Sequence, residues 1–120
     1  MENPTEDRRK YKRFPVELSA RYQRDNKTAW KGCTVTNISR GGMGIIVYLQ
    51  EKIPLESPLV LEIIFPPKEK QIKATGILRW LEEGKDIFIG GVEFTEIDPE
   101  DKWVLLDYAF DEWSKKEKDA

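Results

Sequence analysis

The sequence predicts a mostly-β domain: six strands in a small antiparallel barrel or sandwich, followed by one C-terminal helix packed on it. Three observations carry this. Six short runs rich in β-branched and aromatic residues fall within about eighty residues, separated by turn-forming clusters such as "RDNKT", "NISRGG", "PPKEK" and "EEGKD". Apolar side chains alternate with a period of two in the first run, and the spacing changes to three and four only after Asp98. A chain of 120 residues has room for one packed core and not for two of ordinary size.

Taken in order, residues 1–7 are polar, contain Pro4 and show no periodicity, so a flexible N-terminal arm is expected there. The domain is expected over residues 8–113. Its first strand starts near Val16, with Val16, Leu18, Ala20 and Tyr22 on one face. Further strands are expected at residues 30–36, 43–49, 59–65, 72–81 and 87–94. The helix is expected at residues 99–113: Asp98 is a capping residue and Pro99 suits the first turn. Trp103, Leu106, Phe110 and Trp113 recur at helical spacing and are expected to pack on the barrel. Residues 114–120 are expected to form a solvated tail.

Composition excludes several function classes. There is no histidine, so the usual general base near neutral pH and the commonest metal ligand are missing. The single cysteine, Cys33, rules out an intrachain disulfide and a Cys-x-x-Cys pair. The longest apolar runs, "MGIIVYL" and "PLVLEIIF", fall far short of the roughly 20 residues that span a bilayer, and a cytoplasmic domain without membrane insertion is expected. No catalysis and no cofactor are expected.

Charge is concentrated. The stretch "DRRKYKRFPV" holds five cations in six positions, Arg8 to Arg13, and without them 15 cations face 22 carboxylates, a net charge of −7. A basic arm on an acidic body fits a compact anionic ligand better than a nucleic acid, whose binders are usually basic over a whole face. Within the arm, Arg9 and Arg13 stand in an R-x-x-x-R spacing. The planar guanidinium makes paired hydrogen bonds to phosphate oxygens or to the O6 and N7 edge of guanine. A solvated basic arm would have the same composition.

The second segment of interest is "TNISRGG", between the second and third strands. On an extended backbone Asn37 and Ser39 project from one face and Ile38 from the other. Gly41 and Gly42 permit positive φ and close approach of a ligand. An Asx or Ser turn joining two strands would use the same residues.

Together, R-x-x-x-R ahead of the first strand and [D/N]-x-S-x-x-G in a later loop resemble the PilZ domain family. The likeness extends through "GILRWLEEG", "IGGVEF" and the acidic helix. It implies a six-stranded barrel that binds cyclic di-GMP, with no enzymatic activity. It assigns Arg9 and Arg13 to clamping the nucleotide, Asn37 and Ser39 to reading a guanine, and Gly42 to the motif glycine. Position 37 is Asn where Asp is also common in the family, and an ionised Asp would accept more strongly from the guanine donors. Arg8, immediately before the frame, implies by the same likeness two intercalated nucleotides per chain. Trp80 is a further candidate, stacking on a guanine or joining the core. Signal output is expected through ordering of the arm, passed to a separate effector protein or into self-association. The alternatives are a small barrel binding single-stranded nucleic acid and a PilZ-like adaptor that binds no nucleotide.

Overall fold

A computed structural model describes residues 12–24, 29–48 and 53–119. The expected arm at residues 1–7 and the arginines Arg8 and Arg9 lie outside the described residues.

Six strands close into an antiparallel barrel: β1 (Phe14–Gln23), β2 (Lys31–Ile38), β3 (Gly42–Tyr48), β4 (Pro58–Phe65), β5 (Lys70–Glu83) and β6 (Ile87–Ile97). Around the barrel the order is β1-β2-β3-β6-β5-β4, with β4 pairing back onto β1. Alternation sets the interior. Leu18, Ala20 and Tyr22 of β1, Met43, Ile45 and Val47 of β3, and Leu59, Leu61, Ile63 and Phe65 of β4 all point into one core. Cys33 and Val35 join them from β2, and Ile72, Ala74 and Leu78 from β5. The connection between β4 and β5 is a single 3-10 turn, Pro66–Lys68, closed by Glu69 in the left-handed region at φ 46°.

Alternation is interrupted where the register shifts. Val35 pairs with Ile45 and Asn37 with Gly44, so Thr36 is an extra residue in β2. Leu78 pairs with Val92 and Trp80 with Gly91, so Arg79 is an extra residue in β5. Each is a β-bulge, which re-aims the side chains beyond it.

The helix α1 runs Pro99–Asp119. Asp98 caps it as expected: its Oδ1 accepts from the amides of Glu100 (2.9 Å) and Asp101 (3.2 Å). It continues past Trp113 rather than ending in a tail, because residues 114–119 contain no Gly or Pro to stop it. Lys115 and Lys116 also suit the negative end of the helix dipole.

The buried face of α1 differs from the expected stripe. Leu105, Leu106 and Ala109 enter the core, whereas Trp103 and Phe110 stay 50% and 46% exposed. The apolar arc of this helix is wide, and period alone does not say which part of it meets the barrel. Small Ala109 allows the closest approach. The Tyr108 ring packs edge-on against Phe65 at 5.3 Å, and Lys70 pairs with Asp101 at 2.5 Å, so the helix is also tied to the β4–β5 connection. Among the described residues no helix is long and apolar enough to cross a membrane.

Leu105 has no accessible surface, and Leu105→Ala is expected to lower unfolding free energy by about 2–5 kcal/mol in a urea titration. Burial pushes the Cys33 thiol from the ordinary 9.0 up to about 12. Native protein should therefore resist a thiol reagent near neutral pH and react once unfolded. Between those two values the fold holds a proton that the unfolded chain has lost, so this thiol should reduce stability as pH rises through that window.

Candidate functional site

The β2–β3 connection is built by Ser39 and Gly42. The Ser39 amide donates to the Gly42 carbonyl at 2.9 Å, and the Ser39 hydroxyl lies 3.2 Å from both the carbonyl and the amide of Gly42. Ser39 is buried, so its hydroxyl is engaged in shaping the turn. The strand ends at Ile38, and Ser39 therefore does not continue the exposed face of Asn37 as extended backbone would.

No described glycine has positive φ, so the glycines here do not serve left-handed backbone. Gly42 is needed for close approach within the fold: a Cβ there would lie 2.0 Å from the Val92 carbonyl oxygen of β6. The neighbouring Gly41 carbonyl accepts from the Phe94 amide at 2.8 Å, which ties the turn to β6.

Asn37 is the centre of the outer surface beside this turn. Its Oδ1 accepts from Arg13 Nη1 and from the Gly44 amide, each at 3.0 Å, and its Nδ2 lies 3.4 Å from Thr36 Oγ1. The last arginine of R-x-x-x-R and the first residue of N-x-S-x-x-G, 24 positions apart, thus meet in one hydrogen bond.

From Asn37 a row of paired residues crosses four strands: Asn37 on β2, Gly44 on β3, Gly91 on β6 and Trp80 on β5. Strands lie about 4.8 Å apart, so the row spans about 14 Å. Met43, Ile45 and Val92 are core residues, so the adjacent Gly44 and Gly91 face outward. A Cβ on Gly44 would meet Asn37 Nδ2 at 2.4 Å, and one on Gly91 would meet Trp80 Nε1 at 2.0 Å. The carboxamide and the indole therefore lie against a glycine floor from opposite ends.

Trp80 is 39% exposed, and the Arg79 bulge accounts for that. Strict alternation from the core residue Leu78 would turn Trp80 inward, and the extra residue turns it out. Arg79 itself pairs with Glu93 at 3.0 Å and with Glu56, and the Glu93 hydrogen bond pushes its pKa above the ordinary guanidinium value. Sequence reasoning missed Gly44, Gly91 and the bulges at Thr36 and Arg79. Glycine inside a strand, as in "MGI" and "GGV", was the available signal.

The surface can present a carbonyl acceptor, a guanidinium and an aromatic face to one planar, anionic ligand. Among the described residues no group of His, Cys, Asp and Glu is arranged to hold a metal ion.

Comparison with known proteins gives the following. The PilZ domain family model matches residues 7–111. The Bacillus subtilis inhibitor of motility MotI superposes with a TM-score of 0.76 at 23% identity; the match covers 90% of this chain and 52% of that one, so the chain spans about half its length. The PilZ domain of Escherichia coli YcgR, solved with c-di-GMP, superposes with a TM-score of 0.72 at 13% identity over 93% of this chain and 95% of that one. The K. pneumonia MrkH–c-di-GMP complex gives 0.68 at 12% identity, over 93% and 54%. No curated protein matches the sequence.

Two glycine substitutions separate fold from site. Gly42→Ala places a methyl on a backbone carbonyl and should destabilise the ligand-free domain by about 1–3 kcal/mol in urea denaturation. Gly91→Ala meets a movable indole instead. It should cost less stability and shift the native tryptophan fluorescence as Trp80 is displaced.

Proposed function

The chain belongs to the PilZ domain family, and from that premise we propose that it is a cytoplasmic binding module for cyclic di-GMP with no catalytic step of its own. The observation that carries this reading is the Arg13–Asn37 hydrogen bond, because it joins both motif segments at one end of a glycine-floored row.

The chemistry follows from the acceptor count. Asn37 Oδ1 has two lone pairs, and the Gly44 amide and Arg13 occupy both. A guanine N1–H or N2–H that reaches this oxygen must displace Arg13. The freed guanidinium can then engage a phosphate or the O6 and N7 edge of the base. Ligand entry and arginine rearrangement are thereby one exchange. Arg8 and Arg9 add two guanidinium groups to the clamp, and Trp80 offers a stacking face at the far end of the row. Ser39 and Gly42 contribute by fixing the turn that holds Asn37. The ordered arm then presents a new surface to an effector protein or a second copy.

Calorimetric titration with cyclic di-GMP, using GTP and a short oligonucleotide as controls, tests the reading. Selective heat from cyclic di-GMP is expected. No heat at high micromolar ligand would overturn it, and tight oligonucleotide binding would replace it with a single-stranded nucleic-acid barrel. Arg13→Ala should weaken binding by about 1.5–3 kcal/mol and leave the melting temperature nearly unchanged. Saturation at two nucleotides per chain, reduced to one in Arg8→Leu, is the expected stoichiometry; a wild-type ratio of one would remove the role given to Arg8.

A further inference from the structure

Arg13, just before β1, and Phe14, its first residue, reach in different directions, and this separates a second surface from the first. Arg13 reaches Asn37, whereas the ring of Phe14 turns to α1 and packs against Phe110 at 5.5 Å and Trp113 at 5.7 Å. Beside these rings an open groove of about 410 Å³ runs between the start of β1, the β2–β3 turn and α1.

Its floor is apolar: Phe14, Trp103, Leu106 and Phe110 line it, with Trp103 and Phe110 about half exposed. Its rim is cationic. Lys12 Nζ sits 4.4 Å above the Trp113 ring, and the Arg40 guanidinium sits 5.4 Å from the Trp103 ring. Among the described residues, Asp107 is the one carboxylate in the lining. Lys12 and Arg40 against Asp107 give the groove lining a net positive charge on a chain that is net negative overall. Half-exposed tryptophan and phenylalanine beside arginine match the composition of binding hot spots.

We propose that this groove docks an acidic segment of a partner protein, one that inserts aromatic or leucine side chains between Phe14, Trp103 and Phe110 and sets flanking Asp or Glu against Lys12 and Arg40. Charge complementarity selects this occupant over a neutral or basic one. Its test needs no nucleotide.

The test is selection of a random peptide library on the full chain, followed by titration of synthetic copies of the enriched peptides. Enriched peptides should combine aromatic or leucine residues with Asp or Glu. They should bind at least about tenfold more weakly to Arg40→Glu and to Phe110→Ser, a difference of about 1.4 kcal/mol. Both substitutions change exposed residues, and thermal melts check that each variant folds. Should either variant fail that check, amide shifts in the wild type on adding peptide must map to Arg40, Trp103 and Phe110. The proposal is overturned if the library yields no groove-dependent peptide, or if enriched peptides lack acidic residues. It is also overturned if sedimentation shows a wild-type dimer that Phe110→Ser dissolves, which would assign the groove to a second copy.

Discussion

Everything that distinguishes one wall of this barrel from the rest depends on two extra residues, Thr36 in β2 and Arg79 in β5. In an unbroken strand, side-chain parity is fixed, and a core residue commits every second neighbour to the interior. Val35 and Ile38 are both fully buried although they stand three apart, which is possible only because the Thr36 bulge resets the parity between them. The reset leaves Asn37 outside, where its carboxamide oxygen accepts from the amide of the residue it faces across the ladder. The bulge at Arg79 does the same for Trp80. Between the two irregularities lie Gly44 and Gly91, where a Cβ would collide with the Asn37 and Trp80 side chains.

Most of the architecture was legible from the sequence. Alternation in β1, β-branched and aromatic content in the other strands, turn chemistry between them and the Asp98–Pro99 cap are local signals, and each led to the element that is present. What escaped were effects that need two strands at once. A bulge is a property of a pairing, so neither Thr36 nor Arg79 has a mark of its own in the chain. The necessity of Gly42 comes from a carbonyl fifty residues away on β6. The facing of α1 was misjudged for a similar reason. Leu105, Leu106 and Ala109 fill the core, while of the larger expected residues Phe110 and Trp113 reach Phe14 at the barrel edge and Trp103 stays half exposed.

The Ser39–Gly42 turn stands at the junction of two surfaces. Asn37, just before it, faces the glycine-floored row, and Arg40, within it, lies over Trp103 of α1. At the start of β1, Phe14 and the preceding Arg13 divide in the same way. The row and the groove are therefore joined by adjacent residues at the start of β1 and by the hydrogen-bonded Ser39–Gly42 turn. Any rearrangement of Arg13 is felt one residue from Phe14 and Lys12.

The steric role of Gly42 bears on how much a motif can say. A residue that a signature attributes to ligand contact is fixed here by the packing of β3 against β6, with or without ligand. Ser39, bonded twice into its own turn, is similarly bound to the fold. Of Asn37, Ser39 and Gly42, Asn37 is the one that is only partly buried, and its carboxamide oxygen accepts from a side chain as well as from backbone. As a diagnostic, the glycine and serine therefore report that a barrel of this type is present. Under the proposed function, the positions that would report on nucleotide binding are the arginines and residue 37, and a barrel that bound no ligand would still keep the serine and the glycine.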